Sequence, residues 1–163
     1  MTEQELAQIV ESVVQSVDQQ KTESSLYADV TLDMAKQLIA AVEQKAAQMG
    51  VNAVIAVANR GANPVAVHCM DNAYIASYDI AFNKAYTCAA LKMPTTELKK
   101  LAQPGGALYG IQHTNNGRIV IFGGGIPIMS NGQCIGGLGV SGGSEEQDTA
   151  LAEFAQTVIL NKL

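Results

Sequence analysis

The candidate metal ligands of this sequence are its two histidines, His68 and His113. His68 lies in an alternating segment in which Met70 follows on the same strand face. An imidazole and a thioether placed in this way could both reach a haem iron, because histidine and methionine are familiar axial ligands. His113 lies in a polar loop near Asn115, where it would be free to bind a metal. The alternatives are a hydrogen-bonded strand histidine, a core methionine and a surface histidine without a role.

Two cationic side chains are the candidate partners of an anionic ligand. Lys84 lies in a long helical segment, and Arg118 opens a predicted strand. Both could donate hydrogen bonds to haem propionates or to another anion. The alternative is that both are solvated surface residues.

Two glycine clusters could bring the backbone close to a ligand. Gly142 and Gly143 precede a predicted helix, whose N-terminus favours an anion. The alternative there is a tight strand-to-helix turn. Gly124 and Gly125 could admit a ligand or a neighbouring backbone, or could form a bulge where the sheet bends.

The sequence contains no convincing catalytic centre. Cys88 would be nucleophilic only beside a base that lowers its pKa, and we expect instead a buried thiol on an alanine-rich helix. Glu145, Glu146 and Asp148 lie in the first turn of a predicted helix, where they stabilise its dipole rather than form an acid–base pair.

Composition sets the class of protein. The chain has 163 residues, 48% apolar content and a net charge of -5, so we expect a globular domain that does not bind nucleic acid. Three widely spaced cysteines indicate reduced thiols. We see no secretory signal and no membrane-spanning run, and we therefore predict a cytoplasmic protein without membrane association.

The chain divides into three segments. Residues 1–18 form an amphipathic helix with an unpartnered apolar stripe, residues 19–29 form a polar linker, and residues 30–163 form the domain. Within the domain, the predicted helices cover residues 32–49, 73–91, 95–102 and 144–160, and the predicted strands cover residues 51–58, 64–70, 118–122, 126–130 and 133–140. This order favours an α+β fold with an antiparallel sheet and helices packed on one face.

Local signals predict two helix caps and one turn. Thr31 is the expected N-cap of the helix that begins at residue 32, and Ser144 with Gln147 fits a capping box before the last helix. Asn131-Gly132 between two apolar runs predicts a tight hairpin turn.

Four motifs resemble one family in the same order along the chain. They are Val67-His68-Cys69-Met70-Asp71, Asn83-Lys84-Ala85-Tyr86-Thr87, Phe122-Gly123-Gly124-Gly125-Ile126-Pro127 and Gly136-Gly137-Leu138-Gly139-Val140-Ser141-Gly142-Gly143. Over residues 30–160 the chain is similar to the GlcG-like family of small haem-binding domains. That family includes the C-terminal domain of PduO-type corrinoid adenosyltransferases.

The resemblance implies a five-stranded antiparallel sheet flanked by helices in GlcG-like and profilin-like α-β-α layers. It also implies assembly into dimers or larger oligomers, up to an octamer, with haem or a related tetrapyrrole near the subunit interfaces. Adenosyltransferase activity is not implied, because we expect no adenosyltransferase domain in a chain of this length.

The N-terminal helix resembles the encapsulation peptides that direct cargo into bacterial microcompartments. The alternative is a helix that caps an oligomer or docks on its own domain. We expect a non-catalytic haem-binding accessory protein, carried within a microcompartment for propanediol, ethanolamine or related small-molecule degradation, with shell or cargo proteins bound through residues 1–18. The other hypotheses are an enzyme acting on a small metabolite at the glycine loops and a structural shell adaptor.

Overall fold

The computed structural model describes residues 8–13 and 29–160. Residues 8–13 are helical, and Ile9, Val10 and Val13 are about half exposed. The rest of the predicted N-terminal helix and nearly all of the predicted linker lie outside the described residues. In the described part of the chain, no helix combines the length and the apolarity that crossing a bilayer requires.

Within residues 29–160 the structure has four helices and four strands. In chain order they are α1 (Leu32–Gln48), β1 (Val54–Asn59), β2 (Pro64–Cys69), α2 (Ile75–Leu91), α3 (Thr95–Leu101), β3 (Gly125–Ser130), β4 (Gln133–Ser141) and α4 (Glu145–Leu160). Two short 3₁₀ turns, Ile111–His113 and Asn115–Gly117, lie between α3 and β3. The strands pair antiparallel in the spatial order β2-β1-β4-β3.

Among the residues that the structure describes, the sheet has four strands rather than the predicted five, because residues 118–122 do not pair with it. The N–H of Val120 instead donates to the hydroxyl of Thr87 on α2 at 3.0 Å. The carbonyl of Arg118 lies 3.3 Å from the same hydroxyl. The apolar run that indicated a strand is therefore an extended segment bonded to α2, and the strand prediction for it is wrong.

Helices cover both faces of the sheet, so the prediction of helices on one face is also wrong. Alternate residues of β1 separate into two buried clusters: Ile55 and Val57 pack with α1 and α4, whereas Val54 and Ala56 pack with α2. Alternate side chains of a strand point to opposite faces, and the arrangement is therefore α-β-α. Because both faces are covered, the sequence of β1 is apolar along nearly its whole length.

Helix α2 lies directly on the glycines of β4. A Cβ atom on Gly139 would lie 2.6 Å from the backbone nitrogen of Ala85, and one on Gly137 would lie 2.9 Å from that of Ala89. Such distances are shorter than van der Waals contact, so only glycine permits this approach. The glycines of β4 therefore set the position of α2 and of the side chains that it carries.

Local sequence signals for turns and caps are confirmed. The Thr31 hydroxyl caps α1 by accepting a backbone N–H at 3.2 Å. Ser144 and Gln147 form the reciprocal bonds of a capping box, 2.9 and 3.3 Å long, before α4. Asn131 and Gly132 both have positive φ and form the tight turn between β3 and β4.

Candidate functional site

Two open grooves meet along the N-terminal half of α2 and share Ile80 and Phe122. The glycine groove, of about 270 Å³, is lined by residues that include Tyr74, Ser77, Phe122, Ser141, Gly142, Gly143, Glu145 and Asp148. The amide groove, of about 350 Å³, is lined by residues that include Asp79, Asn83, Gln112, Gly117 and Ile119 to Phe122. Phe122 is therefore the wall between the two grooves.

An exposed apolar face of α2 borders the grooves. Ile75 is 97% exposed and Tyr74 is 74% exposed, although both are large apolar side chains. Next to them the rings of Tyr78 and Phe82 are nearly parallel, with centroids 6.4 Å apart. An apolar face of this kind beside grooves is typical of a binding surface.

Arg118 is held flat beside the amide groove. Its guanidinium carbon lies 3.6 Å from the ring centroid of Tyr86 and 5.3 Å from that of Phe82. Its Nε lies 3.5 Å from Oδ1 of Asn83, which lines the groove. Across residues 8–13 and 29–160 no carboxylate pairs with this guanidinium. Its outer N–H groups are therefore oriented and available to a carboxylate of a ligand.

The amide groove also contains a buried acceptor without a donor. Oε1 of Gln112 is buried and has no hydrogen-bond partner in the described part of the chain. The Nε2 atom of the same side chain lies 3.4 Å from Nε2 of the exposed His113. Buried polar atoms in folded proteins are nearly always paired, so this oxygen is an exception within the described residues, on a side chain that lines the amide groove.

Lys84, predicted as a surface cation, is fully buried. Its Nζ donates to Oδ2 of Asp148 at 2.8 Å and to the carbonyl of Val140 at 2.7 Å. Burial lowers the pKa of Lys84, and the Asp148 carboxylate acts in the opposite direction. Because the ammonium is committed to these partners, Lys84 cannot pair with a ligand propionate on the surface, and the alternative of a solvated lysine is wrong as well.

The glycines predicted to face a ligand are closely approached by the chain itself. The N–H of Gly143 donates to Oδ1 of Asp148 at 2.9 Å, and a Cβ on Gly142 would lie 2.7 Å from Cα of Ala53. The structure therefore agrees with the alternative of a tight strand-to-helix turn, although both glycines also line the glycine groove.

Gly124 and Gly125 lie on the other side of Lys84. A Cβ on Gly124 would lie 2.6 Å from Nζ of Lys84, and one on Gly125 would lie 2.8 Å from Sγ of Cys88. These glycines thus leave room for the side chains of Lys84 and Cys88 on α2. They also line a third cleft, of about 220 Å³, between α4 and the start of β3. The register shift of β3 lies at Ile128, not at the glycines.

His68 and Met70 lie on the opposite face of the sheet from the grooves. Nδ1 of His68 is 3.0 Å from Oε1 of Glu43 on α1, and the sulfur of Met70 accepts a bond from the N–H of Ala53 at 3.4 Å. The structure therefore brings together His113, Arg118 and the Gly142-Gly143 turn around the grooves, and it places His68 and Met70 elsewhere.

Reactive groups and metal ligands do not cluster at the grooves. Burial raises the pKa of the Cys88 thiol to about 12, which removes its nucleophilic form at neutral pH. Within residues 8–13 and 29–160, no three His, Cys, Asp or Glu side chains converge to hold a metal ion.

Two features of the site were not predicted from the sequence. Tyr78, Phe82 and Tyr86 recur at every fourth position of α2, and this spacing could have indicated an aromatic stripe. The sequence offered no signal for Gln112, because its burial depends on how the loop before residue 118 folds against α2.

Comparison with known proteins gives one consistent result. The family described as "Haem degrading protein HbpS-like" matches residues 30–157. A Citrobacter freundii protein described as "Uncharacterized 15.0 kDa protein in dhaT-dhaS intergenic region" is 48% identical over 132 residues, which cover 81% of this chain and 93% of that protein.

Two further comparisons concern corrinoid adenosyltransferases. The corrinoid adenosyltransferase PduO of Salmonella typhimurium is 39% identical over 123 residues, which cover 76% of this chain but only 37% of that enzyme. The crystal structure of a PduOC:Heme complex matches with a TM-score of 0.77 and 36% identity, over 80% of this chain and 94% of that chain.

Proposed function

The chain belongs to the HbpS-like family, and we propose that it is a non-catalytic accessory protein that binds haem across the two grooves and the outer face of α2. The observation that carries this proposal is Arg118, whose guanidinium is stacked on Tyr86 and Phe82 and has no carboxylate partner in the described residues. A haem site needs an apolar surface for the macrocycle and a cation for the propionates. The aromatic stripe and Arg118 provide both in adjacent positions.

The dimensions of the grooves favour a haem that lies across them. Their volumes of about 270 and 350 Å³ are near or below the lower end of the range of about 300–1,000 Å³ that is usual for enclosed ligand sites. A haem resting on Phe122 and on the exposed side chains of Tyr74 and Ile75 would leave its second face open. We therefore propose a homo-oligomer, a dimer or larger, in which another subunit covers that face.

Three of the predicted site residues have a specific role or exclusion in this proposal. Arg118 binds a propionate, and His113 is the axial-ligand candidate because it adjoins the amide groove through Gln112. His68 hydrogen bonds to Glu43 on the other side of the sheet and serves as the matched control. When bound, haem would supply a redox-active iron; the residues of this chain bind and orient the group.

The experiment is a haem titration of the purified protein followed by its Soret absorbance. We expect saturable binding, which Arg118→Ala weakens by about tenfold, the effect of losing one charge-assisted hydrogen-bond partner. Arg60→Ala, in the turn between β1 and β2, is the matched control and should bind normally. His113→Ala should change the Soret maximum, whereas His68→Ala should not. A flat titration of the wild type would refute haem binding.

The same titration distinguishes binding from turnover. The family description names haem degradation, so a Soret band that decays with release of iron under air and reductant would replace the non-catalytic proposal with an enzymatic one. A stable band over the same period supports the accessory role. Cys88 and Lys84 are both buried, which favours the stable band.

We further propose that residues 1–18 act as an encapsulation peptide. The support is that Ile9, Val10 and Val13 in the described helical part are about half exposed on one stripe. Deletion of residues 1–18 should abolish co-localisation with microcompartment shells and leave the domain folded and oligomeric. Ile9→Glu should act like the deletion, whereas Glu11→Gln should not. Unchanged localisation would refute this role, and loss of oligomers would indicate that the helix docks on the domain.

A further inference from the structure

Lys84 is a fully buried cation with three partners on three different elements. Nζ of Lys84 donates to Asp148 on α4 and to the carbonyl of Val140 on β4. Its third contact is the ring of Phe122, whose centroid lies 4.9 Å away. A lysine is rarely buried unless its charge is paired, and Asp148 supplies that pairing here.

The surroundings of Lys84 leave room for the ammonium and for the ring. Gly124, two residues after Phe122, has a φ of 104° and would place a Cβ atom 2.6 Å from Nζ. Any side chain at position 124 would therefore displace the ammonium. The turn between Phe122 and β3 is built around this cation.

Phe122 lies outside the sheet formed by the described residues, so the ladder hydrogen bonds of that sheet do not fix its position. It ends the extended segment that is bonded to α2 through Thr87, and the next residue, Gly123, donates its N–H to Oε1 of Glu145 at 2.8 Å. The orientation of the Phe122 ring therefore depends on the atoms that the ring contacts. One of these is the buried ammonium of Lys84, which lies within the range of a cation–π interaction.

We propose that Lys84 is a positioning residue, whose ammonium holds the ring of Phe122 as the wall between the glycine groove and the amide groove. The consequence for haem affinity rests on the proposed function. The contact between Lys84 and Phe122 does not rest on that function, so the contact and the haem affinity can be measured separately.

The first measurement uses no ligand. The chain has three phenylalanines, and 4-fluorophenylalanine at these positions gives resonances that leucine variants assign. Lys84→Met combined with Asp148→Asn removes both charges, so that no unpaired carboxylate stays buried, and the asparagine keeps an oxygen for the N–H of Gly143. We expect the Phe122 resonance to shift in this double variant.

The chain offers a matched control for this experiment. Nζ of Lys45 lies 5.8 Å from the ring centroid of Phe154, between α1 and α4. Lys45→Met should shift the Phe154 resonance and leave the Phe122 resonance in place. A Phe122 resonance that does not respond to loss of Lys84 overturns the proposal, whether or not the protein binds haem.

The second measurement is a mutant cycle on haem affinity. Lys84→Met with Asp148→Asn should weaken binding about fivefold to tenfold when Phe122 is present, as for loss of a desolvated cation–π contact. In the Phe122→Leu background the same pair of changes should cause no further loss. Equal losses in both backgrounds would show that Lys84 acts through general stability and would overturn the proposal. If the wild type binds no haem but the Phe122 resonance shifts, the haem proposal fails and the positioning role stands.

Discussion

Replacing Gly139 by alanine would insert a methyl group between β4 and α2. The new Cβ would lie 2.6 Å from the backbone nitrogen of Ala85 and 2.8 Å from Cβ of Lys84, and it would be closer still to the carbonyl oxygen of Ala81. Ordinary van der Waals separation is about 3.5 Å, so α2 would have to move by about 1 Å. Because backbone atoms cannot rotate away as a side chain can, we expect a cost of about 3 kcal/mol, the upper end of typical overpacking.

Urea unfolding followed by circular dichroism measures this cost. Gly139→Ala should lower the free energy of unfolding by about 3 kcal/mol and Tm by roughly 6–12 °C, with an unchanged m value. Gly132→Ala is the control: its φ of 76° strains an alanine, but no atom lies within 4 Å of the new Cβ, so its cost should stay near 1 kcal/mol. If Gly139→Ala lowered the free energy of unfolding by less than Gly132→Ala does, the argument that glycine sets the position of α2 would be refuted.

Three further predictions concern single side chains. A thiol reagent at about pH 8 should label the exposed Cys69 rapidly and the buried Cys88 only after unfolding, and rapid native labelling of Cys88 would contradict its burial. The hydrogen bond from Lys99 is the largest cause that lowers the pKa of Glu145, so its stabilisation is present above about pH 4.5 and is lost as the pH falls through the lowered pKa. Lys99→Met should therefore lose less stability on acidification than the wild type, and equal losses would argue against the pair. Thr31→Ala should cost about 1 kcal/mol in urea unfolding, since it removes the cap of α1; no change would show that the cap is dispensable.

The elements that were predicted correctly are those whose signals are local. The Ser144 and Gln147 capping box and the Asn131-Gly132 turn act within four residues, and helix α1 follows from its apolar periodicity. The fifth strand fails for the opposite reason, because the backbone of residues 118–122 bonds to a hydroxyl about 30 residues earlier.

The same contrast between local signals and long-range contacts holds for the candidate site. Arg118 could be singled out by its charge, but its stacking on Tyr86 and Phe82 depends on the fold. Lys84 was expected on the surface because its partner, Asp148, is 64 residues away and no local pattern in the sequence links the two. The glycines suggested space for a ligand, but α2 occupies that space at Gly124 and Gly125, and residues outside α2 occupy it at Gly142 and Gly143.

The turn at Asn131 and Gly132 lies at the end of the β3–β4 hairpin that is remote from the grooves. Asn131 lies six positions after Gly125, the first residue of β3, which corresponds to about 20 Å along an extended strand. Both turn residues are exposed, and short exposed turns of this kind tolerate insertions. A dye attached to a peptide inserted there would lie away from the surface proposed to bind haem, so that quenching of its fluorescence could follow occupancy in living cells without altering that surface.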